Sequence, residues 1–196
     1  DRPKAKQDKA FFISQLDELL NKLEIKRQKF DLVGYSMGGA IAAAYAAHNP
    51  NRLNKLVLIA SAGIGHNLGF SAKVAKIPLF GWVLFSIFFG LQHTLSTKKD
   101  KDIKSSVPNI VERQLNELIY KGFLPSVLAS IRGILSKDNY EDHQALRDAN
   151  FEILAVWGDC DRVIPVSSKE VLSSWNSRIN NIVIKNATHS LPFTHA

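Results

Sequence analysis

Ser36, the carboxylate pair Asp159 and Asp161, and His189 are the residues whose types and order could together perform acyl transfer. Ser36 stands in Gly34-Tyr35-Ser36-Met37-Gly38-Gly39, directly after the apolar run that includes Leu32 and Val33 and directly before the alanine-rich stretch Ala40 to Ala47. A serine at a sharp strand-to-helix turn has strained backbone angles, and small flanking residues let such a turn pack tightly while Oγ projects into the open. Gly34 and Gly38 are expected to supply that room. A hydroxyl is a poor nucleophile at neutral pH, so it needs a base, and the base needs an orienting acid. Ile153 to Trp157 reads as a buried strand running into Gly158-Asp159-Cys160-Asp161, which puts carboxylates at a strand's C-terminal end. Ile182 to Ile184 reads as a last short strand, with His189 in the loop beyond it. Serine, acid and histidine thus each follow a strand, where an open α/β sheet places its chemistry.

The elements that must hold these loops are legible in outline. A first helix is expected over roughly residues 5–24, from Phe12, Leu16, Leu19, Leu20 and Leu23 recurring on one face. Strands are expected at about 30–34 and 55–61, with the intervening helix ending near His48-Asn49-Pro50. From Gly63 to about Asn150 helical segments, including Ile110 to Tyr120 and Phe123 to Leu135, replace the alternation. Strand, helix near 168–175 and strand then resume.

Gly34-x-Ser36-x-Gly38-Gly39, Arg52 to Ser61, Gly158-x-x-Asp161-x-x-x-Pro165 and Thr188-His189-Ser190, in this order, resemble the α/β-hydrolase superfamily over nearly the whole chain. The resemblance implies a mostly parallel sheet with helices on both faces and a helical cap insertion. It divides the chain into hydrolase core at 1–62, cap or lid at 63–150, and core again at 151–196. It also implies Ser36 as nucleophile, Asp161 rather than Asp159 as acid, and His189 rather than His195 as base. The backbone N–H of Met37, at a helix N-terminus, is the expected oxyanion donor. The family normally begins with further strands and a loop that supplies a second donor. The opening Asp1-Arg2-Pro3 therefore resembles mid-fold sequence, and the chain resembles a fragment lacking the N-terminal strands. On that reading the fragment alone is expected to be inactive and to self-associate through an exposed sheet edge. A signal or anchor upstream stays open, with the cytoplasm favoured.

The implied activity is hydrolysis of a carboxylic ester by a serine esterase or lipase-like enzyme, through an acyl-enzyme. The alternatives are a C–C bond hydrolase of ring-cleavage products, for whose carboxylates the cap offers only Arg113 and Arg132, or a non-catalytic binding protein on the same fold. Substrate contacts are expected from Tyr35, beside the nucleophile, and from Trp82, Phe85, Phe88 and Phe89 in the nearly uncharged segment Ile77 to Leu91. That segment is short of the roughly 20 residues a membrane span needs. It suits an apolar ester pocket, a packed cap or peripheral contact with a membrane.

The 196 residues are 45% hydrophobic and 22% charged, as in a globular domain. One cysteine, Cys160, excludes an internal disulfide framework, and its acidic neighbours should raise its thiol pKa. The net charge of +7 comes without an aromatic-interleaved basic motif, so no nucleic-acid partner is expected. No His/Asp/Glu/Cys grouping has metal-ligand spacing, and neither metal nor cofactor is expected. His48 suits a helix C-terminus, His66 is a candidate for lining the pocket, and His93 and His143 are expected to be solvated.

Overall fold

A computed structural model describes residues 5–25, 28–65, 81–99 and 103–195, with every side chain among them except that of Trp82. Among the described residues, four strands form a parallel sheet in chain order: β1 (Phe30–Tyr35), β2 (Leu53–Ile59), β3 (Glu152–Gly158) and β4 (Asn180–Ile184). The helices are α1 (Lys9–Lys22), α2 (Met37–His48), α3 (Gly81–Lys99), α4 (Ile110–Glu117), α5 (Phe123–Arg132), α6 (Tyr140–Ala145), α7 (Ser168–Trp175) and α8 (Leu191–Thr194). The backbone clusters into a sheet unit, Asp8–His66 with Lys137–His189, and a helical unit drawn from 1–7, 67–136 and 190–196.

In the sheet unit, apolar runs make apolar strands. Leu56, Leu58, Ile153, Ala155 and Trp157 are buried, as a parallel sheet covered by helices requires. Register fixes the strand ends together: Tyr35 lies beside Ile59, Ile59 beside Val156, and Gly158 beside Ile184. The loops after β1, β3 and β4 therefore leave the same edge of the sheet. Helix α2 packs on β1 and β2, and its buried Ala40, Ala42, Ala43, Ala44 and Ala46 keep it close to the strands. Tyr45 is the large exception, and its hydroxyl donates to Asp17 on α1. Burial and that acidic partner push its phenol up to about 12. Asp8 caps α1 by accepting from the Phe11 N–H. Of the expected α1 stripe only Leu20 is fully buried, while Leu19 and Leu23 are exposed.

Residues 137–150 cluster with the sheet, although the sequence pattern places them in the cap. Asn139 ties this segment to the sheet unit. Its N–H donates to Gly63 O and its side-chain Nδ2 to Ala40 O, with the residue wholly buried.

The helical unit has its own core. Phe85 is wholly buried against Leu128, with Phe89, Val127 and Ile131 packed around them. Phe89 also stacks on His93, which itself approaches Phe123, so His93 is held between aromatic rings rather than solvated. Gln7 fastens the unit's first residues by accepting from Ser130 Oγ through its side chain and from Ile134 N through its carbonyl.

His143 corrects another expectation: it is completely buried on α6, its ring 6.0 Å from that of Trp175 and its backbone N–H on Asn139 O. Nearby, Lys9 pairs with Asp142 at 2.7 Å. Burial first, and the Lys9 charge second, push the imidazole down to about 4. The unfolded chain titrates near the ordinary value of about 6.5, so between these values only the unfolded state takes up the proton. Stability is therefore full above about pH 6.5 and falls as pH drops toward 4, by up to about 3 kcal/mol from this group. Urea unfolding from pH 7.5 to 4.5 should show this decline, and His143→Phe should flatten its upper part between pH 6.5 and 5. An unchanged slope in that variant would assign the decline to other groups.

Candidate active site

Ser36 has φ 52° and ψ −120°, a conformation that non-glycine residues rarely adopt. Its backbone is held on both sides. The N–H donates to Ile59 O at 3.0 Å, and the carbonyl accepts from Gly39 N and Ala62 N at 2.9 Å each. Steric room comes from Gly34 and Gly39. A Cβ on Gly34 would sit 2.7 Å from Ala42 Cβ and from Gly39 Cα, and one on Gly39 would sit 2.7 Å from Ser61 Cβ. A Cβ on Gly38 would meet nothing within 4 Å, so the second glycine that the turn requires is Gly39 and not Gly38.

On the next loop, Asp161 turns its carboxylate inward. Oδ1 accepts from the N–H groups of Val163 and Ile164 at 2.8 Å each, and Oδ2 lies 2.8 Å from Nδ1 of His189. Its side chain is fully shielded from solvent. A buried carboxylate needs such donors, and these fix which way it points. Asp159 and Cys160 are exposed on the same turn. A hydrogen bond to Asp159 raises the Cys160 thiol pKa first, desolvation second and the charge of that carboxylate third, in the direction the acidic neighbours suggest.

His189 Nε2 lies 3.1 Å from Ser36 Oγ. With the Asp161 carboxylate accepting from Nδ1–H, Nε2 carries the lone pair and faces the hydroxyl. Tyr35, an expected substrate contact, donates its hydroxyl to the His189 carbonyl at 2.7 Å, its ring 5.1 Å from the imidazole. Nothing in the sequence signalled that role, because it joins residues 154 apart. Met37 is the first residue of α2, where backbone N–H groups have no intrahelical acceptor.

The other expected contacts belong to the helical unit. Phe85 is in that unit's core with no exposed surface, which corrects its assignment as a substrate contact; Phe89 packs against it, and Phe88 is 46% exposed. The side chain of Trp82, the whole of His66 and residues 77–80 of the apolar segment lie outside the described residues. His195 bonds to Thr194 Oγ1. Among the described residues no group of three or more His, Cys, Asp or Glu could hold a metal ion.

A sequence model of the family described as "alpha/beta hydrolase fold" matches residues 1–82. Human monoacylglycerol lipase ABHD6 is 26% identical over 192 residues, covering 91% of this chain and 55% of that protein. The 2-hydroxymuconate semialdehyde hydrolase of Pseudomonas sp. (strain CF600) is 29% identical over 193 residues, covering 91% of this chain and 61% of that protein. The chain thus spans between half and two thirds of these relatives. A thermophilic esterase from Thermogutta terrifontis shares the fold with a TM-score of 0.71 at 21% identity, over 97% of this chain and 68% of that one.

The glycine contacts separate two substitutions of equal size. Gly34→Ala drives a methyl into α2 and should lower stability by about 1–3 kcal/mol. Gly38→Ala has open space and should be neutral or stabilising by up to about 1 kcal/mol. Paired denaturant melts decide it, and equal losses would mean that the turn does not depend on the Gly34 approach.

Proposed function

We propose that this chain, whose residues 1–82 match the α/β-hydrolase family and whose fold is shared with a solved esterase, carries the reactive serine of an enzyme that hydrolyses carboxylic esters. One observation carries the reading: Ser36 Oγ, the His189 ring and the Asp161 carboxylate form a continuous relay of 3.1 and 2.8 Å. In this scheme Ser36 Oγ attacks the ester carbonyl while its proton passes to His189 Nε2. Asp161 holds the ring tautomer and stabilises the imidazolium. The Met37 N–H, at the positive end of α2, donates to the developing oxyanion. His189 then returns the proton to the leaving alcohol, and water, deprotonated by the same nitrogen, releases the acid.

The substrate we assign is an apolar ester. The relative named as a monoacylglycerol lipase supports it, as does the apolar content of Ile77 to Leu91. A second reading is C–C bond hydrolysis, supported by the 2-hydroxymuconate semialdehyde hydrolase relative. A binding protein without turnover is disfavoured by the intact relay.

Fluorophosphonate labelling of the whole protein should mark Ser36, and Ser36→Ala should abolish both labelling and p-nitrophenyl ester turnover. Asp161→Asn should lower kcat by about 10⁴-fold while keeping the fold. Unchanged ester hydrolysis by Ser36→Ala would sink the assignment. Turnover of a dienoic ring-cleavage product far faster than of any ester would select the second reading.

A further inference from the structure

Helix α3 leaves several of its large apolar residues on the outside. Leu84, Ile87, Phe88, Leu91 and Leu95 follow the spacing of a single helical face, and they are 38%, 53%, 46%, 59% and 63% exposed. The packed side holds Phe85 and Phe89, together with half-buried Ser86 and His93 and buried Thr97. A helix that leaves five large apolar side chains outward along one face is suited to meet an apolar environment. The same stripe runs into Lys98 and Lys99 at the helix C-terminus.

Charge is divided just as unevenly. The segments of the sheet unit carry thirteen Lys or Arg and thirteen Asp or Glu, and so are neutral. The segments of the helical unit hold the other twelve Lys or Arg of the chain's 25 against five of its 18 Asp or Glu, which is the entire net +7. No helix among the described residues is long and apolar enough to cross a membrane, so α3 suits lying in an interface rather than spanning one.

We propose that the outer face of α3, from Leu84 to Leu95 with Lys98 and Lys99 at its end, docks the helical unit on an anionic lipid bilayer surface. Apolar side chains enter the headgroup boundary, and the lysines and the unit's net positive charge select anionic headgroups. A second copy of the chain would cover the apolar stripe but bring the same net positive charge against it. An anionic bilayer satisfies both. The inference concerns attachment and does not rest on the hydrolase reading.

Co-sedimentation of the chain with phosphatidylcholine vesicles, with and without about one third phosphatidylglycerol, tests it. Binding should favour the anionic vesicles and weaken as salt is raised. Leu91→Ser/Leu95→Ser, both at exposed positions, should reduce partitioning on either vesicle at least about tenfold, with circular dichroism unchanged. Lys98→Gln/Lys99→Gln should lose about fivefold per lysine on anionic vesicles only. Failure to bind, or equal binding by the leucine variant, would overturn the proposal. So would a self-associated chain that binds no vesicle and becomes monomeric in the leucine variant, since the occupant would then be a second copy.

Discussion

The whole site hangs on a serine held in a backbone conformation that costs about 1–3 kcal/mol. That cost is tolerated because the end of β2 and the loop beyond it grip both sides of the peptide: Ile59 O takes the Ser36 N–H, and Ala62 N gives to the Ser36 carbonyl. The grip needs β1 and the start of α2 to approach each other without side chains between them, which the Gly34 contacts with Ala42 and Gly39 provide. Alanines on the buried face of α2 extend that close approach along the helix. The projecting hydroxyl is thus the product of packing on its far side.

The acid and the histidine are fixed by a separate set of contacts. Cys160 N donates to Ala187 O, and Asp159 N to Ile184 O, so the loops after β3 and β4 are stitched backbone to backbone. Gly158 lies so close to the Ala187 carbonyl that a Cβ there would strike it. Asp161, satisfied on Oδ1 by two N–H groups, has one oxygen left for the imidazole. The Tyr35 hydroxyl holds the histidine's own carbonyl, linking that loop back to the residue before the serine.

Much of this was legible in the sequence for a physical reason. Short apolar runs bounded by glycine specify buried parallel strands, and loops after such strands share an edge, so Ser36, Asp161 and His189 could be brought together on paper. What escaped was whatever depends on long-range partners. His143 sits among Tyr140, Glu141, Asp142 and Gln144, and α6 has only six residues, too few to show which face is buried. Asn139 reads as a loop residue until its bonds to Gly63 and Ala40 are seen. In α3 apolar side chains occur all round, so periodicity could not tell that Phe85 belongs to the core while Leu91 is exposed.

The serine turn on one side and the acid–histidine pair on the other are joined by the Tyr35–His189 bond and are set at the right spacing by β2, which runs between them. Ile59 pairs with Tyr35 in β1 and with Val156 in β3, and one residue later Ala60 N donates to Val156 O. A slip of one residue in either pairing would move the serine by about 3.3 Å relative to the imidazole. The 3.1 Å contact between Nε2 and Oγ could not survive that shift. The buried Leu56 and Leu58 on one face of β2, with helix α2 packed over β1 and β2, hold the register against such a slip. The spacing between Ser36 and His189 is therefore held by buried residues within the sheet as well as by the hydrogen bonds of the two loops.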